Sequence, residues 1–190
     1  MSLIRARINW NFCLRRIAWP TIVSLVIFPL SGCGGGGDSG GNSAAPPTRT
    51  AAETIRAMEA AGQLPVLDRT ATVTGIDGNG NGVRDDIDAY IAALPDTATQ
   101  KSSLAQMAKS IDSTMTADVS NDASLRAAAA ALSDAVNCIW SRYDPAAAGA
   151  KVEEIRKIMV NTRPRYDVYA RYNQARSGAV VSIPAGDTCR

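Results

Sequence analysis

Through the second half of the chain the apolar residues recur at intervals of three and four, a spacing that only a helix gathers onto one face. Leu104, Met107, Ala108 and Ile111 make one such stripe. Leu125, Ala128, Ala129, Leu132 and Ala135 make a second, on a helix that continues to Cys138, Ile139 and Trp140. Val152, Ile155, Ile158 and Met159 make a third, and Ile87, Tyr90, Ile91 and Leu94 a shorter one. Start and stop signals frame them. Thr50 to Glu53 and Thr97 to Gln100 are capping-box patterns. Asp144-Pro145 is an N-cap with proline at the first helical position. Gly62 closes the first short helix, and Pro95 stops the one that opens at Asp85 or Asp86. A last helix from about Arg163 carries Tyr166, Tyr169 and Tyr172 or Asn173, and stops near Gly178. Leu64 to Thr74 and Ala179 to Ile183 read as extended. With 46% hydrophobic and only 5% aromatic residues, the composition leans the same way. The expectation is an all-α fold, a small single-domain helical bundle over residues 50–190, with the stripes as its core.

The first 32 residues read differently. Arg5, Arg7, Arg15 and Arg16 precede an apolar run, Ile17 to Leu30. That run has the length of a signal-peptide core and is interrupted by Pro20 and Pro29, too short to span a bilayer. Leu30-Ser31-Gly32-Cys33 follows: an aliphatic residue, two small ones, then cysteine. This resembles the lipobox of bacterial lipoproteins. The resemblance implies cleavage after Gly32, diacylglycerol on the Cys33 sulfur and acylation of the new amino terminus. The alternatives are an ordinary signal peptide or an uncleaved anchor. Arg15-Arg16 invites a twin-arginine reading, but its surroundings fit poorly and the general secretory route is preferred. One acyl chain holds a protein at a membrane only marginally, at about 0.8 kcal/mol per buried CH₂, whereas three make a lasting anchor. In lipoproteins of Gram-negative bacteria, aspartate after the lipidated cysteine favours retention at the inner membrane. Here that position is Gly34, so the resemblance implies the outer membrane, facing the periplasm or the cell surface. Residues 33–49, rich in Gly and Ser and ending in a Pro pair, form a flexible tether.

This partition reorganises charge and cysteines. Losing the four leader arginines takes the formal net charge from +2 to −2. No basic nucleic-acid footprint remains. Of four cysteines, Cys13 leaves with the leader and Cys33 is lipidated. Cys138 and Cys189 are left as a pair for an oxidising compartment, which would pin the C-terminal tail. Two unrelated thiols, or a metal pair, are the alternatives. The chain contains no histidine, which removes the commonest general base and transition-metal ligand.

The segment Asp77-Gly78-Asn79-Gly80-Asn81-Gly82-Val83-Arg84-Asp85-Asp86-Ile87-Asp88 carries the clearest chemistry. Numbered from one to twelve, it has oxygen side chains at 1, 3 and 5 (Asp77, Asn79, Asn81) and glycine at 6. A backbone carbonyl lies at 7 (Val83), with aspartate at 9 (Asp85) and 12 (Asp88). Calcium is a hard cation that takes six to eight oxygens, and alternate residues of a tight loop can aim theirs at one centre. The pattern resembles the EF-hand loop, with aspartate for glutamate at 12. It is closer to the calcium loops of thrombospondin type 3 repeats, and somewhat like dockerin loops. Those families repeat the motif and this chain has it once, so only coordination is implied, of Ca2+ with Mg2+ the lesser alternative. The bland alternative is a Gly/Asn turn. Asp86, at position 10, is expected to cap the following helix.

The functional expectation is a non-enzymatic, lipid-anchored binding or structural module, its partners a membrane and an envelope protein. An enzyme built on Glu153 and Glu154, or on Arg163, Arg165, Tyr166, Tyr169, Arg171 and Tyr172, is the rival. An assembly accessory docking through that Tyr/Arg helix is a third reading.

Overall fold

A computed structural model describes residues 50–190. The leader, Cys33 and the tether lie outside the described residues. Within them the protein is all-α, with six helices and no strand. They are α1 (Ala51–Ala60), α2 (Asp85–Ala93), α3 (Ala98–Met115), α4 (Asp122–Arg142), α5 (Pro145–Met159) and α6 (Arg163–Ala175). None is long and apolar enough to cross a membrane.

The helices begin where short polar side chains satisfy their first backbone N–H groups. Thr50 and Thr97 both close full capping boxes, with Glu53 and Gln100. Asn121 and Asp144 each accept two N–H groups, and Pro145 sits just inside α5. Such a cap stabilises a helix start by about 1 kcal/mol.

Helix α3 is the hub, packing against α2, α4, α5 and α6. Leu104, Met107, Ala108, Ile111 and Met115 supply its buried face. Against them lie Ile87 and Ile91 of α2, Ala135 and Ile139 of α4, and Ala148, Ile155 and Met159 of α5. Each large side chain withdrawn from water contributes roughly 1.5–3 kcal/mol, and the alanines let the axes approach closely. A satellite cluster of Leu125, Ala128 and Tyr172 joins α4 to α6. Helix α1 buries no residue. It is tied to the following chain by the Arg69–Glu59 ion pair, at 2.6 Å.

Two expectations need correction. Tyr166, counted with Tyr169 and Tyr172 in one stripe of α6, is 57% exposed, while Arg165 beside it is fully buried. Asp86 does not cap α2: the N-cap is Arg84, without a side-chain cap bond, and Asp86 pairs with that arginine instead. In both places a buried polar network outranks the local preference.

The C-terminal tail is irregular, and the Cys138–Cys189 disulfide fixes its end, with Cα atoms 4.9 Å apart. Closing a loop of 51 residues stabilises by at most about 4 kcal/mol in the chain-entropy account. Around it, Gln106 donates to the Thr188 carbonyl at 2.9 Å, Asn137 donates to the Gly186 carbonyl at 2.8 Å, and Arg142 pairs with Asp187 at 2.7 Å.

Candidate metal centre

The 77–88 loop runs from irregular chain into α2, with no helix directly before it. Its backbone folds around its own side chains. The Asp77 carboxylate accepts the N–H of Asn81 at 3.2 Å and of Gly82 at 2.8 Å. Asn79 Oδ1 accepts the N–H of Asn81 at 2.9 Å, and Asn81 Oδ1 that of Val83 at 2.7 Å. These are turns in which Asx side chains replace backbone acceptors. They bend the chain into a tight coil, and the position-6 glycine, Gly82, takes the left-handed conformation (φ +81°) that such a coil requires.

The coil brings three of the expected side chains together. The amides of Asn79 and Asn81 both donate to the same atom, Asp88 Oδ2, at 3.2 and 2.6 Å. Positions 3, 5 and 12 therefore converge, with Asp77 at the base of the coil. Each amide oxygen already accepts a backbone N–H of the coil, so it is the NH₂ end that faces Asp88. Asp85, at position 9, is turned aside: its Oδ1 accepts the Gly78 N–H at 3.0 Å. That suits a position that often reaches calcium through water. Val83 anchors the coil in the core at 1% exposure. Among the described residues no three His, Cys, Asp or Glu side chains cluster as a metal site. The convergence here counts two asparagine amides in its set. The hard oxygen donors on alternate residues of one coil fit a group-2 cation, for which Asp77, Asn79, Asn81, Asp88 and the Val83 carbonyl are the ligands to hand.

Sequence reasoning missed what lies behind the loop. Arg84 points inward, its side chain 1% exposed, and grips Asp86 with Nε and Nη2 at 2.6 and 2.8 Å. It also donates to the carbonyls of Met159 and Ile158 at the end of α5, at 3.3 and 3.2 Å. Asp86 accepts the Asp68 N–H at 2.8 Å. The Asp68 carboxylate meets Arg165 Nη2 at 3.1 Å, and Arg165 further donates to the carbonyls of Asp68 and Val73 and to Asn161 Oδ1. Two aspartates, joined through the Asp68 N–H, thus stand between two arginines in the interior. Burial lowers the Arg165 pKa, with Arg84 adding to the effect and Asp68 opposing it. Burial also works against the Asp68 charge, but bonds from Thr70 and the charge of Arg165 outweigh it, so its pKa is lowered. Gly75 leaves room for this ladder: a Cβ there would fall 2.1 Å from Arg84 Cδ, and its φ is +71°. One signal was present in the sequence. An arginine inside an acidic cation loop repels the ion unless it turns away and finds its own anions.

A cleft of about 190 Å³ opens beside the loop, lined by Thr74, Asp77, Gly82, Arg84, Asp112 and Met159. Burial raises the pKa of Asp112; Arg84 and Arg165 oppose that rise, and Asp77 adds to it.

The residues of the enzyme reading go separate ways. Glu153 pairs with Arg156, whereas Glu154 accepts the Tyr90 hydroxyl and lies 3.4 Å from Lys151. Arg163 pairs with Asp167 at 2.8 Å on the surface. Arg165 and Tyr172 are buried, while Tyr166 is exposed.

No protein-family model, curated protein or solved structure matches the chain.

Proposed function

We propose that this chain is a lipid-anchored cell-envelope protein whose 77–88 loop holds one calcium ion as a structural staple, presenting the helical domain as a binding or structural module. The observation that supports the calcium half most directly is the convergence of Asn79 and Asn81 on Asp88 Oδ2, above an Asp77 carboxylate already clasped by the coil. Bound calcium would draw the Asp77 and Asp88 carboxylates onto one centre and set where α2 begins. For a single extracellular-type loop the affinity is weak, with Kd of about 10⁻⁴–10⁻³ M. The anchoring half rests on Leu30-Ser31-Gly32-Cys33, and Gly34 after it, in place of aspartate, implies the outer membrane of a Gram-negative cell.

Thermal melts of the full-length protein in detergent test the first half. At 5 mM calcium, linkage gives about 1.5 kcal/mol over the chelated protein, a Tm rise of a few degrees. Asp77→Ala abolishes that difference. A melt indifferent to calcium would sink the proposal. Fractionation tests the second half: Cys33→Ala is expected to leave the membrane fraction, and globomycin to block processing of the unaltered chain.

A docking role for α6 is a second reading. It is favoured by Tyr166, a large ring 57% exposed on a helix whose other residues include exposed Arg163 and Arg171.

A further inference from the structure

The ladder behind the loop joins three parts of the chain that are distant in sequence: residues 68–75, the cation loop, and the α5–α6 corner. Arg84 is the member that belongs to the loop itself. Its neighbours are held by the coil, since the Val83 N–H is bound by Asn81 Oδ1 at 2.7 Å and the Asp85 N–H by the Ile76 carbonyl at 2.8 Å. Its guanidinium, by contrast, is spent on Asp86 and on the last carbonyls of α5. From Asp86 the chain of bonds passes through Asp68 to Arg165, the one fully buried charge on α6. Asn161, in the turn before α6, closes the far end by donating to the Asp68 carbonyl at 2.9 Å and accepting from Arg165 at 2.7 Å.

Such a network has few partial states. A buried ion left without its partner is strongly penalised, and bonds in a low-dielectric interior reinforce one another. A loop that loosens by an ångström at Arg84 therefore does not lose one bond only. It leaves Asp86 and the α5 carbonyls short of a donor, and as Asp86 shifts it loosens the bond that holds the Asp68 N–H beside Arg165.

We infer that Arg84 couples cation occupancy of the 77–88 loop to the ordering of residues 68–75 and of helix α6, so that calcium governs the α6 surface as well as the loop. This rests on the calcium reading above. Coupling between two sites is reciprocal. If calcium orders the α6 corner, then a change at that corner that touches no ligand weakens calcium binding by the same factor.

The experiment is hydrogen exchange of the full-length protein in detergent micelles, with calcium chloride or with chelator, alongside calorimetric titration of calcium. In the unaltered protein calcium is expected to slow exchange about tenfold, the middle of the usual range for coupled sites, in residues 68–75 and 163–170 as well as in 77–88. Arg84→Met keeps calcium protection in the loop and loses it at the two distant segments. Asn161→Ala, a milder change outside the loop, weakens calcium binding several-fold. A purely structural role for Asn161 would instead lower Tm equally with and without calcium and leave the calcium Kd unchanged, which overturns the inference. Protection confined to the loop and α2 overturns the coupling and leaves the calcium site standing. No calcium effect on the loop itself overturns both.

Discussion

Residues 61–84 and residues 176–190 are both irregular chain fastened to the same helices, and they are fastened in opposite ways. The first stretch is held from inside. Arg84 reaches out of it to Asp86 and Arg165 reaches into it to Asp68, both from buried positions. The second is held from outside, by one covalent bond and by surface contacts such as Arg142–Asp187, whose side chains are 27% and 58% exposed. Exposed pairs of that kind are worth little, so the disulfide does most of the holding at that end. At the loop end no single bond dominates, and each charge depends on the others. One attachment is conditional on charge balance, the other on oxidation state.

The largest expected effect breaks the loop end. Arg165→Ala removes a fully buried cation and strands Asp68, which should cost about 3–5 kcal/mol and lower Tm by about 10 °C, measured by circular dichroism. The Cys138→Ala/Cys189→Ala pair breaks the other end. It should cost about 3 kcal/mol, and, unlike Arg165→Ala, by the same amount in calcium and in chelator. A calcium-dependent cost for the cysteine pair would erase the contrast between the ends.

Acid sharpens the comparison further. Asp68 has a lowered pKa in the folded protein, since the Thr70 bonds and Arg165 overcome the opposing effect of burial. Its contribution to stability is therefore complete above the unfolded carboxylate value, about pH 4, and is lost as pH falls through the folded value. A disulfide does not titrate. Pepsin at low pH is accordingly expected to cut within residues 64–76 before residues 179–188.

The smallest effect concerns Asp112. Burial raises its pKa, with Asp77 adding, so the ionised carboxylate works against folding at neutral pH. Asp112→Asn should raise Tm in chelator by about 1–2 °C at pH 7. The gain should vanish below about pH 4, where the native carboxyl is protonated in both states.

Helix positions were legible because each is a local matter. The Thr50 and Thr97 boxes, the Asp144-Pro145 start and the Pro95 stop act over a few residues, and all appear where the chain announces them. The coil at 77–88 was legible for the same reason: its Asx turns and its left-handed Gly82 are set by neighbours within five positions. Asp86 and Arg165 were not legible. A charged residue on a helix reads as solvent-facing unless its partners are known, and here the partners lie 2 and 18 residues from Asp86, and up to 97 from Arg165.

The sequence by itself thus determined the all-α class, the helix limits, the oxygen-rich coil at 77–88 and the pairing open to Cys138 and Cys189. Periodicity, caps and turns are short-range physics, and the two cysteines of residues 50–190 leave one pairing. Only the tertiary structure decided that Arg84 turns its back on the loop, that Arg165 is buried while Tyr166 is exposed, and that Asp68 and Asp86 stand between the two arginines. Those are properties of long-range packing, in which a charge is buried only where distant segments supply its counter-charge.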